Sequence, residues 1–361
     1  MTPADKPIRV VIADDSLVAR EMLAHLLTSD PGIEVVGQAT DGAEAVEMVS
    51  QLRPDLVTMD IHMPRMDGLL ATERIMAFTP TPILVVSSSV HGEGMGRAFD
   101  ALELGALEVV KKPELRDWAD LGRMGTELLR TIKILARVRV ITHVSGRREA
   151  RLAGDLGQTG AFGPLGRPGA AGDSATRTIV AIGSSTGGPS ALRTVFAALP
   201  AELPAPVLVA QHITDGFVPG LVEWLDAGCR IRIVVAEEGV MPQAGTVYLA
   251  PTGANMVLLR DRIAFAQPAA EHLYIPSADA LFESVAATHG GTAVAAILTG
   301  MGADGARGLK ALRDSGALTI AQDEASCTVF GMPKAAIELG GVDRVLPLAS
   351  IGPAITECFT A

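Results

Sequence analysis

Ser185 stands between Gly183 and Gly187 in the stretch AIGSSTGG, a Gly-x-Ser-x-Gly spacing that closes a short apolar run and opens a helical pattern. On such a strand-to-helix turn, glycines permit a sharp backbone and a close approach, and the helix N-terminus adds unpaired N–H groups and a positive dipole end. The stretch lacks the Gly-x-Gly-x-x-Gly of a dinucleotide site and the Gly-Lys-Ser/Thr of a Walker loop, and it matches the spacing that holds up a nucleophilic serine. A serine hydroxyl is a poor nucleophile at neutral pH and requires a base. Of His25, His62, His91, His143, His212, His272 and His289, only His212 directly follows an apolar run of the C-terminal half, PVLVAQ. His272, in a polar stretch, is the competing base, and His289 reads as a cap near a helix end. A carboxylate that orients the imidazole would complete the set. Asp304, in the Gly-rich turn that ends TAVAAILTGMGADG, is the candidate; its other reading is a cap for the helix GARGLKALRDSG. The order Ser, His, Asp differs from the Ser, Asp, His of α/β-hydrolases.

The N-terminal half offers a different chemistry. Asp14 and Asp15 follow the apolar run IRVVIA, Asp60 follows DLVTM, Ser87 follows ILVV, and Lys112 and Pro113 follow LEVVK. In open α/β sheets ligands bind outside the carboxyl ends of the strands, so these residues share one edge. Converging carboxylates repel unless a hard cation lies among them, and Mg²⁺ takes such oxygen ligands. Lys112 would then meet a phosphoryl group as a point charge, with Ser87 as a hydroxyl donor. The plainer reading, in which Asp14 and Asp15 only cap the first helix, leaves Asp60, Ser87 and Lys112 unexplained.

The elements that must hold these residues read as α/β throughout. From Ile8 to about Arg137, the β-rich runs IRVVIA, EVVGQ, DLVTM, ILVV and LEVV alternate with helical patterns such as LVAREMLAHLL and GAEAVEMVSQL. From Thr178 the alternation resumes with TIVAIG, PVLVAQ, IRIVV, TVYLA, TAVAAILT and LTIAQ. Both halves are expected to be doubly wound parallel sheets. Between them, Ser145 to Ala175 is rich in Gly and interspersed with Pro, with no apolar period, and reads as a flexible linker. The expected division is a first domain over residues 7–125, a helix end and linker over 126–177, and a second domain over 178–355. A chain of 361 residues with 48% hydrophobic residues has room for two cores. Its net charge of −11 and 4% aromatic content argue against nucleic-acid binding. No signal pattern or membrane-length apolar run is present, and the three cysteines, Cys229, Cys327 and Cys358, have no zinc or disulfide spacing. A cytoplasmic location without membrane insertion is the expectation.

Over roughly residues 7–125, the motifs ADD, MDIHMPRMDG, VVSSS and KKP resemble a bacterial receiver domain. The resemblance implies a flavodoxin-like fold, phosphorylation of Asp60 by a histidine kinase, and Mg²⁺ held by Asp15, Asp60 and the backbone carbonyl of His62, with Asp14 acting through water. Receivers usually carry an aromatic where this chain has Val109. His62, beside the acceptor, is read either as a group whose protonation tunes phosphoryl lifetime or as an exposed side chain lending only its carbonyl. Over about residues 178–355, IGSSTGGPSAL, QHITDGF, LTGMGADGARGL and GMPKAA resemble the catalytic domain of chemotaxis protein-glutamate methylesterases. That resemblance implies a Rossmann-like domain in which Ser185 is the nucleophile, His212 the general base and then acid, and Asp304 the orienting carboxylate. Backbone amides near Thr186 and Met301 would serve as oxyanion donors. The implied substrates are methyl-esterified glutamates and glutamines of chemoreceptor cytoplasmic domains, with no cofactor in this domain. Family members commonly have a histidine where this chain has Asn255, a departure that bears on substrate contacts. Two other readings share these residues: a serine hydrolase of another acylated protein, and a silent docking module.

Overall fold

The computed structural model describes residues 6–87, 95–112, 118–140, 177–267 and 274–359. His91, His143, His272, Pro113 and the Ser145–Ala175 linker lie outside them. The N-terminal half runs β1 (Ile8–Ala13), α1 (Leu17–Thr28), β2 (Ile33–Ala39), α2 (Gly42–Leu52), β3 (Leu56–Met59), α3 (Gly68–Phe78), β4 (Ile83–Ser87), α4 (Met95–Glu103), β5 (Glu108–Lys111) and α5 (Trp118–Leu135). Its five strands pair in the order β2-β1-β3-β4-β5, all parallel. Helices start where side chains accept the orphan amides of the first turn: Ser16 from Ala19, Asp41 from Ala43 and Glu44, and Asp67 from Leu70. The helix α5 crosses residue 125, and its Leu128, Ile132 and Leu135 are buried beside Val10, Leu23 and Leu84.

The C-terminal half runs β6 (Ile179–Ser184), α6 (Gly188–Ala198), β7 (Val207–Gln211), α7 (Val218–Gly228), β8 (Arg232–Val235), β9 (Thr246–Leu249), β10 (Asn255–Leu259), β11 (Arg262–Ala266), α8 (Ala278–Thr288), β12 (Ala293–Ile297), α9 (Ala306–Asp314), β13 (Leu318–Gln322), α10 (Met332–Glu338), β14 (Arg344–Leu346) and α11 (Leu348–Glu357). Seven strands form a parallel sheet in the order β14-β13-β12-β6-β7-β9-β8. The central β6, β7 and β12 are buried at every residue, as expected of strands covered by helices on both faces. The six expected strands of this half all form. An antiparallel hairpin, β10–β11, and the three-residue edge strand β14 are additional.

The two halves touch. Phe99 of α4 lies edge-on to Phe217 with centroids 6.2 Å apart and 5.9 Å from Trp224 of α7, and all three are buried. Arg193 of α6 lies 4.2 Å over the Trp224 ring and pairs with Glu103. Both sheets reverse their winding direction beside a central strand, between β1 and β3 in the first and between β12 and β6 in the second. At such a switch point the crevice for a ligand opens at the strand carboxyl ends.

Candidate active site

In the C-terminal sheet the three candidate residues follow three adjacent strands. Ser185 follows β6, His212 follows β7, and Asp304 lies in the loop after β12. Parallel pairing continues past the strand ends: Ser185 N donates to Thr299 O at 3.0 Å, and His212 N donates to Ser184 O at 3.0 Å. The serine is therefore held from both sides. Gln211 reinforces this, its Nε2 donating to the carbonyls of Ser185 at 2.9 Å and His212 at 2.7 Å while its Oε1 accepts from Ser184 Oγ at 2.6 Å. Gly187 has φ +74°, and a Cβ there would lie 2.6 Å from Thr328 Cβ, so only glycine fits this turn into α6. Gly300 brings the β12 loop against Ser185, since a Cβ on it would lie 2.7 Å from Ser185 Cβ. Ser185 is 8% exposed.

His212 Nε2 and Asp304 Oδ2 are 2.7 Å apart. The other ring nitrogen, Nδ1, is buried and makes no hydrogen bond. Asp304 does not cap α9, where Gly305 takes that position without a side-chain bond. It caps α8 instead. Ser277 Oγ donates to Oδ1 at 2.8 Å, Ala278 N to Oδ2 at 2.6 Å, and Asp279 N to Oδ1 at 3.2 Å. A carboxylate at a helix N-terminus is favoured by both the orphan amides and the dipole. Burial alone would raise the Asp304 carboxyl, but hydrogen bonding and charge from His212, with the Ala278 and Ser277 bonds, hold it below the usual carboxylate range. Asn255, buried at the start of β10, accepts from Ser277 N at 2.9 Å and so steadies the residue that holds Asp304. The Asn255 departure thus stands behind the carboxylate. Thr186 and Met301 flank Ser185 in sequence and across the Gly300 loop, and Thr186 O accepts from Thr299 Oγ1 at 3.0 Å. His289 is the C-cap of α8 and meets Thr178 Oγ1 at 3.0 Å. Burial pushes the Cys327 thiol up to about 12, which leaves it protonated and unreactive at neutral pH.

In the N-terminal sheet, Asp14 and Asp15 follow β1 and Asp60 follows β3, and one oxygen from each lies within 4.8 Å of the others. This oxygen-only set suits a hard divalent cation. Lys112, directly after β5, places Nζ 2.6 Å from Asp14 Oδ2 and 2.9 Å from Asp60 Oδ2. Burial works against its charge, yet these carboxylates outweigh it and raise the lysine above its ordinary value. Burial raises the Asp60 carboxyl despite the lowering pull of Lys112. Ser87 ends β4 and is buried, and His62 is exposed. Asp14 does not cap α1; its Oδ1 accepts from the amide of Ser16, the residue that does.

Residues 180–355 match the family model of the CheB methylesterase, and residues 10–121 that of the response regulator receiver domain. A protein of Anaeromyxobacter dehalogenans named protein-glutamate methylesterase/protein-glutamine glutaminase 2 is 44% identical over 98% of this chain and 97% of its own length. One from Cupriavidus pinatubonensis, with the same name numbered 1, is 42% identical over 97% of each. The crystal structure of the Thermotoga maritima CheB methylesterase catalytic domain is similar at 36% identity and a TM-score of 0.49, covering 51% of this chain and 99% of that one. With both family models matched in this order and the relatives aligned over nearly their whole length, the chain belongs to the protein-glutamate methylesterase/protein-glutamine glutaminase family.

Proposed function

We propose that this chain hydrolyses methyl esters of glutamate residues on chemoreceptor cytoplasmic domains and deamidates receptor glutamines, under control of phosphorylation at Asp60. It is a carboxylic ester hydrolase, as its named relatives are. Ser185 attacks the ester carbonyl as His212 takes its proton, forming an acyl-enzyme, and the imidazolium returns that proton to the departing methanol. Water then attacks, His212 again accepting the proton, and a glutamate is released. With a glutamine the leaving group is ammonia. The amides of Thr186 and Met301 are the donors assigned to the oxyanion.

The observation that carries this reading is the 2.7 Å contact of His212 with an Asp304 carboxylate that three α8 groups already hold, leaving Nδ1 buried and unbonded as the acceptor for the Ser185 proton. A histidine kinase is the phosphodonor for Asp60. Asp15, Asp60 and the His62 carbonyl are the groups that would hold Mg²⁺, with Asp14 acting through water. Bound there, the ion would offset the negative charge of the phosphoryl group. Lys112, against Asp14 and Asp60, would supply a further positive charge. The test is Ser185→Ala: methanol release from a methylated receptor falls to the background level while receptor binding persists. Unchanged release overturns the assignment.

A further inference from the structure

Tyr274 stands apart from the residues so far assigned. Its ring is stacked on the imidazole of His212, with centroids 4.5 Å apart and planes 9° from parallel. Its hydroxyl accepts a hydrogen bond from Arg130 Nη1 at 2.9 Å. Arg130 is an exposed residue of α5, in the N-terminal unit, 144 positions away in sequence. Arg130 and Tyr274 share a groove of about 650 Å³ with Asp304, Asp279 and Arg307.

A single hydrogen bond to Asp304 fixes one point of the imidazole and leaves its plane free to turn. The stacked phenol fixes the plane, and with it the direction in which Nδ1 points. The face of an aromatic ring is also the negative part of its quadrupole and favours a cation stacked on it, here the imidazolium that forms as Ser185 loses its proton. A guanidinium on the far end of the same ring acts in the opposite sense, because like charges repel. Resting on the esterase reading above, we propose that Tyr274 is a positioning residue for His212, and that Arg130 engages it from the receiver unit so that the receiver's state reaches the general base through one stacked ring.

The charged groups facing this assembly are Asp304 on the imidazole, Arg307 paired with Asp279 behind the carboxylate, Arg130 on the phenol, Glu338 of α10 on the same groove, and Asp215 on the loop of His212 itself, bonded to Thr252. Among these groups Arg130 alone belongs to the receiver unit, so its removal isolates the link.

The test follows methanol release from a methyl-esterified chemoreceptor cytoplasmic fragment by the full-length protein, against pH and substrate concentration. Tyr274→Leu lowers kcat about 10- to 100-fold with KM changed less than about twofold. It also moves the acid-side midpoint of kcat/KM to lower pH, because the imidazolium loses its aromatic face. Tyr274→Phe restores the face and recovers most of the lost kcat, which a general structural defect would not allow. In unphosphorylated protein Arg130→Gln moves the midpoint upward, and this shift vanishes when Tyr274→Phe is combined with it. Parental kcat and midpoint in a folded Tyr274→Leu protein overturn the positioning role. An Arg130→Gln shift of equal size with and without the hydroxyl overturns the link. If Tyr274→Leu does not fold, the Tyr274→Phe and Arg130→Gln cycle decides. Ser185→Ala is run beside them: methanol release surviving that change refutes the esterase reading itself, whereas its loss alongside an inert Tyr274 refutes only the role of Tyr274.

Discussion

At the scale of single residues, the relation on which the proposed mechanism turns is the 2.7 Å contact of His212 with Asp304. Asp304→Asn keeps the shape but presents an amide where the imidazole needs an anion, so kcat is expected to fall on the order of 10³- to 10⁴-fold with KM little changed. Ser277→Ala removes one of the three α8 groups on Asp304 and should cost about tenfold in kcat, the equivalent of one hydrogen bond to a charge. Both are checked by steady-state methanol release. If Ser277→Ala matched the loss of Asp304→Asn, the carboxylate would depend on a single donor and not on the helix terminus. That Ser185, His212 and Asp304 share one edge of the sheet was legible in the sequence because each follows an apolar run, and strand ends are where parallel sheets expose chemistry. Ser277, Asn255, Gln211 and Tyr274 were not. Their roles depend on contacts between distant positions of this half, 27 apart for Ser277 with Asp304 and 62 apart for Tyr274 with His212, and a polar residue in a loop carries no periodic signal that marks its partner. The Asp304 cap shows the same limit: the sequence neighbour, α9, suggested itself, while the helix actually capped begins 26 positions earlier.

At the scale of elements, adjacency in the sheet does what adjacency in sequence cannot. Because β6 sits between β12 and β7, the three loops that follow them converge without any long excursion. The convergence depends on Gly300, where any side chain would enter the space of Ser185 and of Met332 from α10. Gly300→Ala is therefore expected to displace Ser185, lowering kcat at least tenfold and stability by about 1–3 kcal/mol. Methanol release and thermal melting check the two effects, and a parental kcat would show that the loop can retreat without cost. The doubly wound character of both halves was readable from alternating apolar runs and helical periods, since continuous buried strands leave an unmistakable pattern. The β10–β11 hairpin escaped because its two-residue turn is Arg260-Asp261, both at positive φ, in place of the glycine- or asparagine-bearing pair that signals such a turn. The strand β14 escaped because three residues at a sheet edge carry no detectable alternation.

At the scale of the whole molecule, the receiver unit reaches the Ser185 turn directly. Glu108 at the start of β5 accepts a hydrogen bond from Gly187 N at 3.0 Å, two residues beyond Ser185, while Phe99 and Trp224 pack the two units together. Phosphorylated protein, and a fragment from about Thr178 onward, should both hydrolyse methylated receptor faster than the unphosphorylated whole; equal rates for all three would refute control by the receiver. The contact is also expected to sense pH. Burial pushes the Glu108 carboxyl up to about 7, against the lowering effect of its bonds to Gly187 and Val109 and with added repulsion from Glu127. Once the units part and water reaches it, the carboxyl returns toward its ordinary value of 4.5. Between those two values the closed form retains a proton that the open form has released, so closure weakens as pH rises through that window and is level above it. The ratio of phosphorylated to unphosphorylated rates cancels the titration of groups common to both forms, and it should fall by at least about threefold from pH 5 to pH 7. Glu108→Gln keeps an acceptor for the Gly187 amide but has no charge to desolvate. Its ratio should be flat over the same range and higher than the parent's at pH 7.5, since an uncharged group closes the junction more tightly. A parental ratio already flat with pH, or an equal slope in Glu108→Gln, would place the sensing of pH elsewhere in the junction.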